Sequence, residues 1–182
     1  ASETYFRSLL KAPALAIPTT LMFIAVMASM GAVWYYALQG MLPLWQGAII
    51  NGFLSYCLFS VIHDSSHHSL SSSKFLNELI GGVGLFFLFP YAPMVALRWV
   101  HNQHHIYANG PMDPDRFEHE SPWWQVPFRW SCFDGYYIYY FFKYGGKVIK
   151  RHATYLIAYY SALIVTFSVI LYLGFGYEVL ML

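Results

Sequence analysis

Apolar positions fall in long unbroken runs along this chain, not in the short amphipathic stripes of a soluble domain. From Ala14 to Leu38 nearly every residue is uncharged and apolar, enough at about 1.5 Å per residue to cross a hydrocarbon core of roughly 30 Å. Gly40, Met41, Leu42 and Pro43 read as a turn, and Leu44 to Ile62 is a second run of spanning length that ends directly on His63. The pattern predicts a hairpin of two membrane-crossing helices. Phe75 to Leu97 is also apolar, but Gly81, Gly82, Gly84, Pro90 and Pro93 interrupt it, which predicts a re-entrant or interfacial helix pair instead of one straight crossing. Residues 98 to 152 are polar and aromatic-rich, with a Tyr-rich stretch from Tyr136 to Tyr144 suited to a membrane interface. Tyr155 to Leu173 is a further spanning candidate, and beyond Gly174 and Gly176 the apolar character resumes through Leu182 as the opening of a fourth helix. The expected fold class is all-α integral membrane: two transmembrane hairpins, with re-entrant or interfacial helices on the cytoplasmic face. Residues 1–182 read as a single domain.

Composition sharpens this picture. The chain is 58% hydrophobic, 20% aromatic and only 10% charged, where soluble domains carry about a quarter charged residues. A net charge of +1 gives no reason to expect a nucleic-acid partner. Charge placement says more than the sum: all ten Lys and Arg lie either before the first run, at Arg7 and Lys11, or between His68 and Ala153. By the positive-inside rule the N-terminus and the whole histidine-containing region face the cytoplasm. Arg7 and Lys11 ahead of so long an apolar run mark a membrane anchor, because a signal peptide is shorter and ends on a small-residue cleavage site. Cys57 and Cys132 lack Cys-x-x-Cys spacing and indicate neither a disulfide framework nor a thiolate metal site. The serines between Ser65 and Ser73 read as a polar exit from the second helix.

The chemistry lies in the histidines. Six of the eight fall in two groups, His63, His67 and His68, then His101, His104 and His105. On a helix, positions i and i+4, or i and i+3, share a face, so His63 with His67 and His101 with His104 can each aim two imidazoles at one centre. The adjacent His68 and His105 sit about 100° further round, an arrangement that suits two metals better than one. The groups can meet only from the same side of the membrane, which the broken segment from Phe75 to Leu97 allows. Imidazole ligands without cysteine suit iron, zinc, copper or nickel, and ligand type alone does not choose among them.

His63-x3-His67-His68 and His101-x2-His104-His105, 32 residues apart and following a two-helix hairpin, resemble the first two histidine boxes of the membrane fatty acid desaturase and hydroxylase superfamily. Arg98 and Trp99 before the second box, and Asn109, Asp113, Pro114 and Asp115 after it, are similar to bacterial fatty acid desaturase-type members. The resemblance implies that the six histidines hold two non-haem irons. It also implies O2 as co-substrate, a lipid or acyl substrate, and electrons from a ferredoxin, rubredoxin or b-type cytochrome. The superfamily's third box has no counterpart after His152, so the chain reads as stopping inside the fourth helix, before that box. A bacterial inner membrane is the implied location.

Each residue also has a plainer reading. Asp64, placed in the catalytic centre as hydrogen-bond support for a ligating imidazole, is otherwise a polar residue near a helix end. Asp113 and Asp115 orient box histidines or bind substrate, or else form a solvated turn, and the turn is favoured. His119 and His152 read as interfacial histidines. Lys143, Lys147, Lys150 and Arg151 form a lipid-facing basic flank, with docking of an acidic electron donor as the sharper alternative. Trp123, Trp124 and the tyrosines from Tyr136 to Tyr144 read as an interfacial belt, with an acyl tunnel as the alternative. Three functions follow: an acyl desaturase, a hydroxylase or ketolase of alkane, sterol or carotenoid, and a non-enzymatic membrane metal-binding subunit.

Overall fold

A computed structural model describes residues 11–182, and every regular element within them is helical. Arg7 lies outside the described residues. The chain forms two compact units: the first takes the described residues up to Tyr91 together with Ala162–Leu182, and the second is Ala92–Ser161.

In the first unit, α1 spans Ile17–Leu38 and α2 spans Leu44–Ser66. At 22 and 23 residues they are about 33 and 34 Å long, sufficient for a bilayer core. Val26, Met30, Val33 and Ala37 form the buried stripe of α1, while Leu21 and Ile24 on its other faces stay exposed. The reversal between the helices turns on Gly40, whose φ of +70° is open to a residue without a Cβ. α1 begins three residues later than the apolar run because the preceding backbone is already committed. Ala16 N–H donates to Leu70 O at 2.7 Å, and Ser72 N–H donates to Pro13 O at 2.7 Å.

α2 runs past Ile62, its expected end, through His63 to Ser66. No Gly or Pro intervenes, and the Ser66 hydroxyl donates to His63 O at 2.7 Å. The serine tract that follows is a built connector. Ser71 Oγ donates to Ala14 O at 2.5 Å, and Ser73 Oγ caps α3, Lys74–Leu88, by accepting from Leu76 N–H. Asn77, fully buried in α3, donates from Nδ2 to Ser71 O at 2.5 Å and Ser73 O at 2.8 Å and accepts from Ser71 N–H at 3.3 Å. α3 packs on α2 where Gly84 approaches Ile62, and a Cβ there would lie 3.2 Å from the Ile62 side chain. At 15 residues α3 is about 22 Å long, too short to cross. The chain breaks at Phe89 to Pro93, so Phe75 to Leu97 is a helix pair, as its Gly and Pro content predicts.

The second unit opens with α4, Met94–Tyr107, followed by α5, Arg116–His119, a 3-10 turn at Trp123–Gln125, and α6, Val126–Trp130. Then come α7, Phe133–Tyr144, α8, Gly146–Arg151, and α9, Ala153–Tyr172, whose first part belongs here. Ala96 and Val100 of α4, Tyr140 and Phe141 of α7, and Leu156 of α9 make the core, with the Trp99 ring 5.8 Å from both aromatic rings. α9 is 20 residues long, about 30 Å, and exposes Ile157, Ile164 and Leu171. Such continuous apolar surface belongs in lipid, not in water. α10, Gly176–Met181, lies in the first unit, where Asn51 Nδ2 donates to Leu182 O at 3.1 Å. With three helices among the described residues long and apolar enough to span, this is an all-α membrane protein.

Replacing Asn77 with Ala strips two buried backbone groups, Ser71 N–H and Ser71 O, of their partner, while Ser73 O keeps the residue 77 N–H. The expected cost is about 1–3 kcal/mol for each group left unpaired, read as a lowered unfolding midpoint in detergent. An unchanged midpoint would show that Asn77 does not hold the connector.

Candidate metal centre

Box one sits at the end of α2. His63 lies on the helix, and the His63 and His67 rings are 4.7 Å apart and edge-on. His67 is already the C-cap, and His68 takes a left-handed conformation with φ of +55°. The expectation that His68 continues round the helix is therefore corrected: the backbone leaves helical geometry between His67 and His68, and that turn, not helical phase, sets the direction of His68. Asp64 accepts from Thr19 Oγ1 of α1 at 3.0 Å through Oδ2, while its Oδ1 lies 3.8 Å from His63 Nδ1, beyond hydrogen-bond length.

Box two lies wholly on α4. His101 and His105, at i and i+4, bring their Nε2 atoms to 3.1 Å of each other. Imidazole nitrogen sits about 2.1 Å from a bound metal such as zinc, so two ligands at a right angle on one ion lie about 3.0 Å apart. The His101/His105 pair fits two adjacent positions on a single ion. The structure brings His101 together with His105, and the His101 and His104 ring centroids are 6.4 Å apart. His104 is turned elsewhere by carboxylates.

Its Nδ1 is hydrogen-bonded with Asp113 Oδ1 at 2.9 Å and lies 3.1 Å from Asp115 Oδ2. Asp113 is only 3% exposed, which overturns its reading as part of a solvated turn. α4 ends at Tyr107, and Asn109 adopts a φ of +59°, a conformation asparagine tolerates better than most residues. The chain thereby folds back, and Asp113 accepts from Asn109 N–H at 2.7 Å and Asp115 N–H at 2.9 Å. Burial acts to raise the Asp113 carboxyl, but the His104 hydrogen bond and the two backbone donors outweigh it and hold the group below its usual range. Burial acts to lower His104, but the hydrogen bond to Asp113 and the charges of Asp115, Asp113 and Glu118 outweigh that and raise it.

α7 braces this loop. The Tyr137 hydroxyl donates to Asp115 Oδ1, and the Tyr140 hydroxyl donates to Met112 O at 2.6 Å. Burial first, and donation to Asp115 second, push the Tyr137 phenol well above its ordinary value. Two members of the expected aromatic belt thus hold the loop beside box two, whereas Trp123 is 84% exposed. The His119 side chain lies outside what is described. Lys143 donates to Tyr139 Oη at 2.8 Å and lies over the Tyr139 and Tyr144 rings. Tyr137 and Tyr140 were missed as supports because a tyrosine-rich helix carries no signal for which hydroxyls turn inward. Asp113 had one, the Asn109 to Asp115 segment following a box.

These features define a class: an all-helical membrane protein with histidine pairs and a carboxylate-backed histidine suited to metal. The fatty acid desaturase family model matches residues 39–182, and the chain belongs to that family. It is 29% identical to an sn-1 oleoyl-lipid 12-desaturase of Picosynechococcus sp., across 57% of this chain and 36% of that protein. It is 30% identical to a chloroplastic omega-6 fatty acid desaturase of Brassica napus, across 53% of this chain and 18% of that protein. The corresponding Glycine max protein is 34% identical across 43% of this chain and 16% of its own length. The matched stretch spans little more than a third of these relatives at most. No solved structure matches the chain.

Tyr140→Phe leaves Met112 O without its donor and is expected to destabilise the second unit by about 1 kcal/mol. Differential scanning fluorimetry in detergent measures it, and a midpoint equal to the parent's would remove Tyr140 from the support of the loop.

Proposed function

We propose that this chain works in a membrane di-iron oxidase that uses O2 and external electrons to desaturate a fatty acyl chain. Family membership supports the substrate class. The observation that carries the metal reading is the His101/His105 pair, whose 3.1 Å Nε2 separation suits two positions on one ion. His63, His67, His68, His101, His104 and His105 are the assigned ligands, and Asp64, anchored on Thr19, is the assigned acceptor beside His63.

When bound, the irons supply the oxidising power that breaks an unactivated C–H bond, which side chains alone cannot provide. The balance fixes the partners: removing two hydrogens from adjacent carbons yields two electrons and two protons, and reducing O2 to two waters takes four of each. A one-electron donor therefore delivers two electrons per turnover and solvent delivers two protons. A ferredoxin, rubredoxin or b-type cytochrome is the donor class, with Lys143, Lys147, Lys150 and Arg151 as its docking face. The chain's own residues position ligands: the i, i+4 spacing aims His101 and His105 together, and Asp113 orients His104. The orientation proposed puts the N-terminus and both boxes on the cytoplasmic side of a bacterial inner membrane, following the cation distribution.

The test is metal analysis with Mössbauer spectroscopy on detergent-purified protein, followed by mass spectrometry of lipid products. About two coupled irons per chain and a new double bond are expected. An oxygenated product without a new double bond moves the assignment to a hydroxylase or ketolase, and metal bound without O2-dependent turnover moves it to a non-enzymatic metal-binding subunit. His67→Ala and His104→Ala are each expected to abolish iron occupancy or turnover, and retained activity in both would sink the ligand assignment.

A further inference from the structure

We propose that Asp113 is a positioning residue that locks His104 in its Nδ1–H tautomer, so that Nε2 carries the lone pair offered to metal. The metal end of this inference rests on the functional reading above. The tautomer itself rests on hydrogen-bond geometry alone.

Two carboxylate oxygens face one ring nitrogen. His104 Nδ1 lies 2.9 Å from Asp113 Oδ1 and 3.1 Å from Asp115 Oδ2, and an ionised carboxylate only accepts. The nitrogen between them must therefore carry the hydrogen. A free imidazole side chain prefers the opposite tautomer, so the protein imposes this one.

Asp113 is itself fixed on every side. Its side chain is buried, its Oδ2 accepts from Asn109 N–H at 2.7 Å, and its Oδ1 also accepts from Asp115 N–H at 2.9 Å. These are backbone donors in a loop set by the left-handed Asn109, so the carboxylate cannot swing away without leaving two N–H groups unmet. Asp115 is held in turn by the Tyr137 hydroxyl on its Oδ1, which leaves Oδ2 towards His104. The order of importance follows from burial: Asp113 is enclosed and triply bonded, whereas Asp115 is about a third exposed and acts as a second acceptor. An asparagine at 113 keeps the shape but offers one acceptor edge where the carboxylate offers two. One edge meets both the His104 ring and the Asp115 N–H while the other meets the Asn109 N–H. An amide oxygen turned towards Asp115 N–H therefore keeps His104 as Nδ1–H, and only removal of both carboxylates frees the ring to take the Nε2–H form.

The experiment is 15N NMR of the metal-free, histidine-labelled protein in detergent at about pH 8.5, above the ordinary histidine pKa of ~6.5, with His104 assigned from the His104→Gln spectrum. Wild-type His104 is expected as Nδ1–H. Asp113→Ala/Asp115→Ala, which leaves no carboxylate at Nδ1, is expected to move it largely to Nε2–H and to weaken Fe(II) binding by about 10- to 100-fold, while Asp115→Asn alone leaves the tautomer in place. Nε2–H in the wild-type protein overturns the proposal without any variant, so misfolding of the double variant does not shield it. An unchanged tautomer in the folded double variant overturns it as well. Because the tautomer is read without metal, the two failures separate. Iron bound by a protein whose His104 is Nε2–H removes the positioning role and leaves the function, whereas His104 held as Nδ1–H in a protein that takes no iron removes the di-iron reading.

Discussion

A carboxylate withdrawn from water must be met by donors, or it protonates or unfolds its surroundings. Asp113 meets that demand with the His104 ring and two backbone N–H groups, and much of the second unit is arranged around doing so. The left-handed Asn109 exists to bring Asp113 back beside α4. Tyr137 and Tyr140 on α7 hold the loop from the other side. The same α7 contributes Tyr140 and Phe141 to the core against Ala96 and Val100, so the packing that stabilises the unit and the hydrogen bonds that orient the histidine share one helix. A substitution that loosens α7 reaches His104 through these two hydroxyls.

The first unit solves a different problem, the passage of a chain from lipid to a polar surface. Within α1 and α2 the backbone satisfies itself, which is the condition for crossing hydrocarbon. The difficulty comes where α2 ends, because the groups left open there need partners. His67 and Ser69 N–H close back onto His63 O and Asp64 O, and the side chains of Ser66, Ser69, Ser71 and Asn77 add bonds to His63 O, Asp64 O, Ala14 O and the Ser71 backbone respectively. Thr19 on α1 holds Asp64 on α2. Box one is therefore carried on a helix end tied back at several points, which limits the freedom of His63 and His67.

The spanning helices, the Gly40 turn and the break before Pro93 were legible because each rests on a local rule: apolar length, positive φ, or the missing N–H of proline. The ends were less so. Ala14 to Ala16 are as apolar as the helix they precede, and it is pairing with Leu70 and Ser72, distant in sequence, that keeps the backbone extended there. At Ile62 the hydropathy changes but the helix does not, since His, Asp and Ser prolong a helix that is already formed. The six box histidines stood out by spacing, yet their partnership did not. Both i+3 and i+4 share a face, and only the acceptors at 113 and 115 decide that His104 parts from His101. Asp113 was weighed and set aside because a Pro-flanked acidic pair reads as solvated, and burial is a property of the folded neighbours, α4 and α7, not of the segment.

Three histidines within five residues of one helix cannot all serve one point by helical geometry, since adjacent positions diverge by about 100°. Box two turns that limit into a division of labour. His101 and His105 share a face and need no help to converge, as their 3.1 Å approach shows. His104 lies off that pair, and a side chain with a freely chosen tautomer could offer either nitrogen in either direction. A buried acceptor on Nδ1 removes that choice and fixes the ring plane with it. The -x2-His-His spacing thus supplies a converging pair and a third imidazole held apart from it by a carboxylate nine residues further along.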